Sequence, residues 1–328
     1  MQDTAAKPDL VPVTVLTGYL GAGKTTLLNR ILSEQHGRKY AVVINEFGEL
    51  GVDNDLVVDS DEEVFEMNNG CICCTVRGDL IRIVGALMKR RDRFDGIIIE
   101  TTGLANPAPV AQTFFVDEDV RAKARLDAIV TVVDARHLPL RLSDSREAAD
   151  QIAFADVIVL NKTDLVNADE LADVERRIRE INRFATIHRA TRGDVPVAAL
   201  LGQGAFDLDR VLAQVPEFLT DDTHEHDEDV ASMSFEAARP IDPEKFNAWI
   251  GALLAEKGQD LLRTKGILAY PNETRRFAFQ AVHMMADGDF VAPWKDGEAH
   301  TSRIVFIGRN LNRPQLRRGF ESCQVKAA

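Results

Sequence analysis

At 328 residues, with 45% hydrophobic and 28% charged side chains, the chain has room for about two domains with ordinary globular cores. A formal charge of -13 argues against nucleic acid or an anionic membrane as partner, and no apolar run reaches the length of a membrane span. The opening Met1-Gln2-Asp3-Thr4-Ala5-Ala6-Lys7 lacks the apolar centre of a signal peptide, so a cytoplasmic location is expected. There thiols stay reduced, and clustered cysteines point to metal or redox chemistry.

Residues 13–17 read as a first strand that runs straight into Gly18-Tyr19-Leu20-Gly21-Ala22-Gly23-Lys24-Thr25. Strand, glycine-rich turn and helix start form the context in which this spacing makes a phosphate-binding loop. Around Gly21, Ala22 and Gly23 the backbone N–H groups can close on phosphate oxygens, and the helix N-terminus adds positive potential. Lys24 is the expected partner of the β- and γ-phosphates, and the Thr25 hydroxyl of Mg2+.

A second apolar run, 40–44, is followed by Asn45-Glu46-Phe47-Gly48-Glu49. Its acids, Glu49 among them as a catalytic candidate, suit Mg2+, the attacking water or a second metal, and the residues do not separate these roles. A short β-like run at 64–67 then precedes Asn69-Gly70-Cys71-Ile72-Cys73-Cys74-Thr75 and a helical stretch with Leu80, Ile83, Val84 and Leu87 on its apolar face. Thiols near a helix N-terminus are biased towards thiolate. Cys71, Cys73 and Cys74 can converge on one soft or borderline ion, Zn2+, Cu+ or Co2+. With no fourth ligand nearby, such a site keeps an open position suited to handing metal on. Buried small hydrophobes or a redox pair are the alternatives. Lys89-Arg90-Arg91-Asp92-Arg93 reads as the basic C-terminus of the same helix.

The strand at 96–100 ends on Glu100-Thr101-Thr102-Gly103. Glu100 is expected to hold Mg2+ through its water shell or to orient the attacking water, and the Gly103 N–H to approach the γ-phosphate. Runs at 128–133 and 156–160 follow, the latter leading into Asn161-Lys162-Thr163-Asp164. A carboxylate such as Asp164 accepts both N1–H and N2–H of guanine, a donor pair that adenine lacks. GTP is therefore expected over ATP, which disfavours a kinase or partitioning ATPase. These strands are continuous apolar runs, as in parallel strands covered on both faces. Between them lie helix-period segments such as 169–184, with Leu171, Val174, Ile178 and Ile181 on one face. The expected fold is α/β, a doubly wound and mostly parallel sheet in a P-loop domain spanning 1–216.

Residues 217–230 form an acidic linker around His224 and His226, which read as solvated, with transient collection of a divalent ion as the alternative. A smaller α+β domain is expected over 231–328, with Asp242-Pro243 capping a helix, an alternating strand at 276–282, another at 303–307, and one wet sheet face. Arg313, Arg317 and Arg318 read as a solvated face, and Cys323 as a packed, inert thiol.

Together these motifs resemble the CobW-type family of metallochaperone GTPases. The resemblance rests on Thr17 through Thr26, Asn45-Glu46-Phe47-Gly48-Glu49, Asn69-Gly70-Cys71-Ile72-Cys73-Cys74, Glu100-Thr101-Thr102-Gly103-Leu104 and Asn161-Lys162-Thr163-Asp164. Glu100 stands where other GTPases carry aspartate. Leu261-Leu262-Arg263-Thr264-Lys265-Gly266 and Val305-Phe306-Ile307-Gly308 look like the family's C-terminal domain. The resemblance implies GTP with slow hydrolysis, Mg2+, zinc or cobalt on Cys71, Cys73 and Cys74, and delivery to a client metalloprotein. It places nucleotide contacts on Gly21, Ala22, Gly23, Lys24, Thr25, Thr26, Asn161, Lys162 and Asp164, and catalysis on Lys24, Glu100 and Glu49. Many members carry a long His-rich tract, where this chain has only His224-Glu225-His226. Pro8-Asp9-Leu10-Val11-Pro12 is similar to a client-docking motif of eukaryotic relatives but reads here as a turn into the first strand. A GTP-gated zinc chaperone is the expected function, and a homo-oligomer is compatible with it. Cobalt delivery for cobalamin synthesis and a redox-sensing GTP-binding regulator are the rivals.

Overall fold

The apolar runs of the N-terminal half become strands because a sheet covered on both faces leaves no side for polar alternation. The computed structural model describes residues 10–34, 36–44, 64–66, 75–202, 204, 230–295 and 297–326. The chain divides into two compact units: Met1–Gln151, Ala155–Val174 and Thr186–Ala205 in the first, and Ile152–Phe154, Glu175–Ala185 and Phe206–Ala328 in the second. The expected boundaries at 216 and 230 fall at or within a stretch outside the described residues.

The first sheet is seven-stranded and contains β1 (Val11–Gly18), β2 (Tyr40–Ile44), β3 (Val64–Glu66), β4 (Gly96–Glu100), β5 (Ala124–Asp134), β6 (Val157–Asn161) and β7 (Thr186–Arg189). Their spatial order is β3-β2-β4-β1-β5-β6-β7, and every pairing is parallel. β2, β4 and β6 are buried at every position. The helices in sequence are α1 (Lys24–Ser33), α2 (Thr75–Met88), α3 (Ala108–Val116), α4 (Glu118–Arg121), α5 (Leu138–Asp144), α6 (Arg146–Phe154) and α7 (Ala168–Ile181). Leu27, Leu28 and Ile31 of α1 share an apolar cluster with Leu16, Val42, Val130, Val132 and Val159 of the sheet.

Two helix ends differ from expectation. α2 stops at Met88, so the basic run lies beyond the helix as a single 3-10 turn, Arg91–Arg93, whose Arg91 Nη1 donates to the Phe94 carbonyl at 3.1 Å. The last turn of α2 therefore carries no basic residue. α7 ends at Ile181 because Asn182 Oδ1 accepts from the N–H groups of Phe184 and Ala185, turning the chain. This is side-chain competition with helical hydrogen bonding.

After β1 the chain moves to one side of the sheet, and between β4 and β5 it crosses to the other. This reversal opens a crevice at the carboxyl edge of β1, the place where open α/β sheets take ligands. Gly18, Glu100, Asp134 and Asn161 end β1, β4, β5 and β6 along that edge. The register sets Leu16 beside Glu100 and Asp134 beside Asn161.

The second unit carries a five-stranded antiparallel sheet of β8 (Ala231–Ala237), β9 (Leu261–Leu268), β10 (Arg275–Val282), β11 (Met285–Pro293) and β12 (Ser302–Gly308), in the order β11-β10-β9-β12-β8. Helices α8 (Pro243–Lys257) and α9 (Arg313–Ser322) share its main core, through Phe246, Leu254, Leu316 and Phe320 against Phe279, Ile304 and Phe306. Asp242 caps α8 as expected, its carboxylate accepting from the N–H groups of Glu244 and Lys245.

The expectation of one wet face does not hold at the sheet's centre. β9 and β12 are buried or nearly so along both faces, and Ile267, Ala269 and Trp294 form a second small cluster away from the main core. Only the edge strand β11 reads as largely exposed. Arg313 is likewise not simply solvated. Its guanidinium lies 5.6 Å from the centroid of the Phe235 ring, a cation–π contact, while Arg317 and Arg318 are exposed. Cys323 is buried and its Sγ donates to the Gly319 carbonyl. Burial raises its thiol pKa, in keeping with an inert, packed residue.

Candidate nucleotide site

The loop between β1 and α1 is shaped by Gly18 and Gly23, at positions where a side chain has no room. Gly18 has φ of 144°, and a Cβ there would lie 2.2 Å from the Val132 carbonyl oxygen of neighbouring β5. Gly23, at φ of 107°, precedes α1 without a side-chain cap, leaving the first N–H groups of that helix to face the crevice. A Cβ on Gly23 would meet Asn161 Nδ2 at 2.5 Å.

That close approach reflects an interlock. Asn161 Nδ2 donates to the Ala22 carbonyl at 2.9 Å, across 139 residues of sequence, while its Oδ1 accepts from the Gly193 N–H at 3.0 Å. Lys162, in the left-handed region at φ of 60°, sends its Nζ to the Gly21 carbonyl at 2.7 Å. Two successive side chains at the end of β6 thus hold two successive carbonyls of the phosphate loop. Lys24 is itself buried, with Nζ donating to the carbonyls of Gly18 at 2.9 Å and Tyr19 at 3.4 Å. Thr25 is half-buried and Thr26 exposed at the start of α1.

Asp164 sits in a 3-10 turn, Thr163–Leu165, and is exposed. The turn is pinned by Thr163, whose N–H and Oγ1 both donate to the Ala190 carbonyl. A fixed, open carboxylate is the acceptor a guanine edge requires.

Glu100 is buried at the end of β4. Beside it, the Thr101 N–H donates to the Leu16 carbonyl and Thr101 Oγ1 to Thr17 Oγ1 at 2.9 Å, tying the edges of β4 and β1. The following loop is held by buried Gln151, whose Nε2 donates to the carbonyls of Gly103 at 3.2 Å and Ala105 at 3.1 Å. A Cβ on Gly103 would lie 2.6 Å from the Leu20 side chain, so this loop and the phosphate loop touch. The Thr25 hydroxyl and the Glu100 carboxylate are hard oxygen donors, and that chemistry fits Mg2+.

Three residues near this edge went unnoticed in the sequence: Asp134, His137 and Gln151. Asp134 closes an apolar strand as Glu100 does, and that shared pattern was the available signal. Gln151 carries none, since a glutamine within a helix is commonplace. Burial alone would raise the Asp134 pKa, but hydrogen bonds from Lys162 and His137 outweigh it and hold the carboxyl below its ordinary value.

Glu49 with the rest of 45–50, the thiols Cys71, Cys73 and Cys74, His224, His226 and Pro8 lie outside the described residues. Among the described residues, no group of three or more His, Cys, Asp or Glu could hold a metal ion, and no helix is long and apolar enough to cross a membrane.

A phosphate loop at the switch point of a parallel sheet, interlocked with an Asn-Lys-Thr-Asp motif, defines a P-loop domain of the GTP-binding type. Comparison with known proteins narrows this. The chain belongs to the CobW family: the CobW/HypB/UreG nucleotide-binding domain matches residues 12–189, and the cobalamin synthesis protein cobW C-terminal domain matches 230–324. It is 37% identical over 317 residues to the zinc chaperone YjiA of Escherichia coli K12, covering 94% of this chain and 98% of the relative. The zinc-regulated GTPase metalloprotein activator 1 of Schizosaccharomyces pombe is 44% identical over 192 residues, 56% of this chain and 47% of the relative. The crystal structure of Zn(II)-bound YjiA GTPase from E. coli matches with a TM-score of 0.75 at 32% identity, covering 97% of this chain and 100% of that one. A Zn(II)-bound variant of YjiA with one glutamate and two cysteines replaced by alanine matches with a TM-score of 0.76 at 33% identity, over 97% of this chain and 100% of the other.

Proposed function

We propose that the chain is a GTP-hydrolysing metallochaperone that carries zinc on Cys71, Cys73 and Cys74 and passes it to a client metalloprotein. Residues 1–216 form its nucleotide domain, 217–230 a linker and 231–328 the second domain, and it works in the cytoplasm. The observation that supports this reading best is the double hold of Asn161 and Lys162 on the Ala22 and Gly21 carbonyls. It makes the base motif and the phosphate loop one site.

Asp164 accepts the guanine N–H pair, and the α1 N-terminus with the loop N–H groups binds phosphate oxygens. Lys24 places positive charge where the β–γ bridge gains negative charge during cleavage. Thr25 and Glu100 would hold Mg2+, which when bound would supply further neutralisation of phosphate charge. Glu100 and Glu49 are the acids available to orient water. The Gly103 loop, held by Gln151, faces the γ-phosphate. Binding of GTP orders 45–51 and 71–74 so that three thiolates converge, and hydrolysis releases them, a switch by segment ordering.

The test is zinc affinity by competition with a chromophoric chelator, measured with a GTP analogue, with GDP and without nucleotide. The zinc-bound YjiA variant with two cysteines replaced shows that occupancy alone is a poor readout. Affinity is expected to differ at least about tenfold between the GTP and GDP states, a coupling in the usual range. Replacing Cys71, Cys73 and Cys74 by serine removes that dependence. Equal affinity in all states, unaltered by the serines, overturns the reading. The name of the C-terminal family favours cobalt as a second reading, and metal analysis of protein purified from cytoplasm separates the two.

A further inference from the structure

We propose that Asp134 is a positioning residue for the guanine-nucleotide site, acting through Lys162. The proposal rests on the reading that guanine nucleotide binds at this edge, and it extends that reading to residues outside the phosphate-loop and base motifs.

Asp134 ends β5 directly beside Asn161 in the parallel register. Its Oδ2 accepts from Lys162 Nζ at 2.8 Å and lies 2.9 Å from His137 Nδ1. Its Oδ1 accepts from the backbone N–H groups of Arg136 and His137, at 3.0 and 3.1 Å. Both carboxylate oxygens are therefore committed, and the side chain is only 12% exposed. The Lys162 ammonium is held between this carboxylate and the Gly21 carbonyl. Four rotatable bonds give a lysine stem many orientations, and a charge-assisted contact to a fixed carboxylate selects one of them. The same β5–α5 corner reaches the phosphate loop a second time. Arg141 places its guanidinium 5.1 Å from the Tyr19 ring centroid. Asp134 thus keeps Lys162 docked on the phosphate loop before a base arrives, and nucleotide binding does not have to order it.

The base contacts are shared by GTP and GDP, so the effect must fall on both equally. Asp134→Asn keeps an oxygen for the Arg136 and His137 N–H groups and removes the charge facing Lys162. It is expected to raise the Kd of GDP and of a GTP analogue alike by about tenfold, the loss of one charge-assisted hydrogen bond. KM for GTP rises with them, and the change falls on KM rather than kcat. In a Lys162→Met background the same substitution should change Kd by less than about twofold, because its route is gone. An unaltered Kd in Asp134→Asn, an effect on GTP alone, or a full effect in the Lys162→Met background overturns the proposal. If Asp134→Asn does not fold, His137→Gln carries the test, with an expected weakening of about two- to threefold for both nucleotides. No change there overturns it equally. If the unaltered chain binds neither nucleotide, the guanine-nucleotide reading itself fails, a distinct result.

Discussion

Asn161 ties the phosphate loop to the Gly193 turn through one buried side chain, and Asn161→Ala tests this directly. The substitution strips a buried donor from the Ala22 carbonyl and a buried acceptor from the Gly193 N–H. Each orphaned group costs about 1–3 kcal/mol. Since one side chain serves both and the loop can relax, a total of about 2–4 kcal/mol is expected, a large part of a domain's usual 5–15 kcal/mol. Trp249 and Trp294 both lie in the second unit, so intrinsic fluorescence is the wrong probe. Amide hydrogen exchange is the right one, because Gly193 reports the lost bond itself. Its exchange should speed up by about ten- to hundredfold, and GDP affinity should fall, since the phosphate loop loses one of its two anchors. Asn161→Asp provides the contrast. It keeps the acceptor for Gly193 but sets a carboxylate against the Ala22 carbonyl, so Gly193 stays protected while GDP binding is lost. A Gly193 amide that exchanges in Asn161→Ala as slowly as in the unaltered chain would refute the reasoning.

Gly18→Ala forces a Cβ to 2.2 Å from the Val132 carbonyl oxygen at a left-handed φ. It should destabilise the first unit by several kcal/mol, of the order of about 3, seen as a lower urea midpoint by far-UV circular dichroism. Phe246→Ala empties a fully buried position that meets Phe279 edge-to-face at 5.2 Å. It should cost about 3–5 kcal/mol, read in the second unit by tryptophan fluorescence during urea unfolding. Asp134 titrates below its usual 3.8 in the folded chain, so it adds stability at neutral pH. That contribution is complete above the unfolded value and is lost as pH falls through the lower folded value. Urea midpoints below pH 4 should therefore fall more steeply in the unaltered chain than in Asp134→Asn, and equal slopes would contradict the assignment.

The zinc half of the proposed function asks Cys71, Cys73 and Cys74 to work under the control of a site built many residues away. Family membership over both domains makes that combination coherent. In that proposal the interlock at Gly21 and Ala22 is the rigid side of the switch. A nucleotide can bias a distant loop only if the pocket it fills does not itself give way.

Much of this was legible from local pattern. Apolar runs such as 96–100 and 156–160 marked parallel strands, and the glycine spacing from Gly18 to Thr25 marked the phosphate loop. Asp242-Pro243 marked a helix start, because caps and periods act within a few residues of chain. Tertiary structure decided what depends on groups far apart in sequence. Lys162 meets Gly21 across 141 residues, and Gln151 reaches Gly103 across 48. Gly18 must be glycine because of Val132 in another strand, and Arg313 covers Phe235 rather than water. Asp134 carried no assignment in the sequence, and its place became visible only where the sheet sets it beside Asn161. A chain's own sequence encodes which residues carry charge and which prefer a strand, but strand order determines which of them become neighbours.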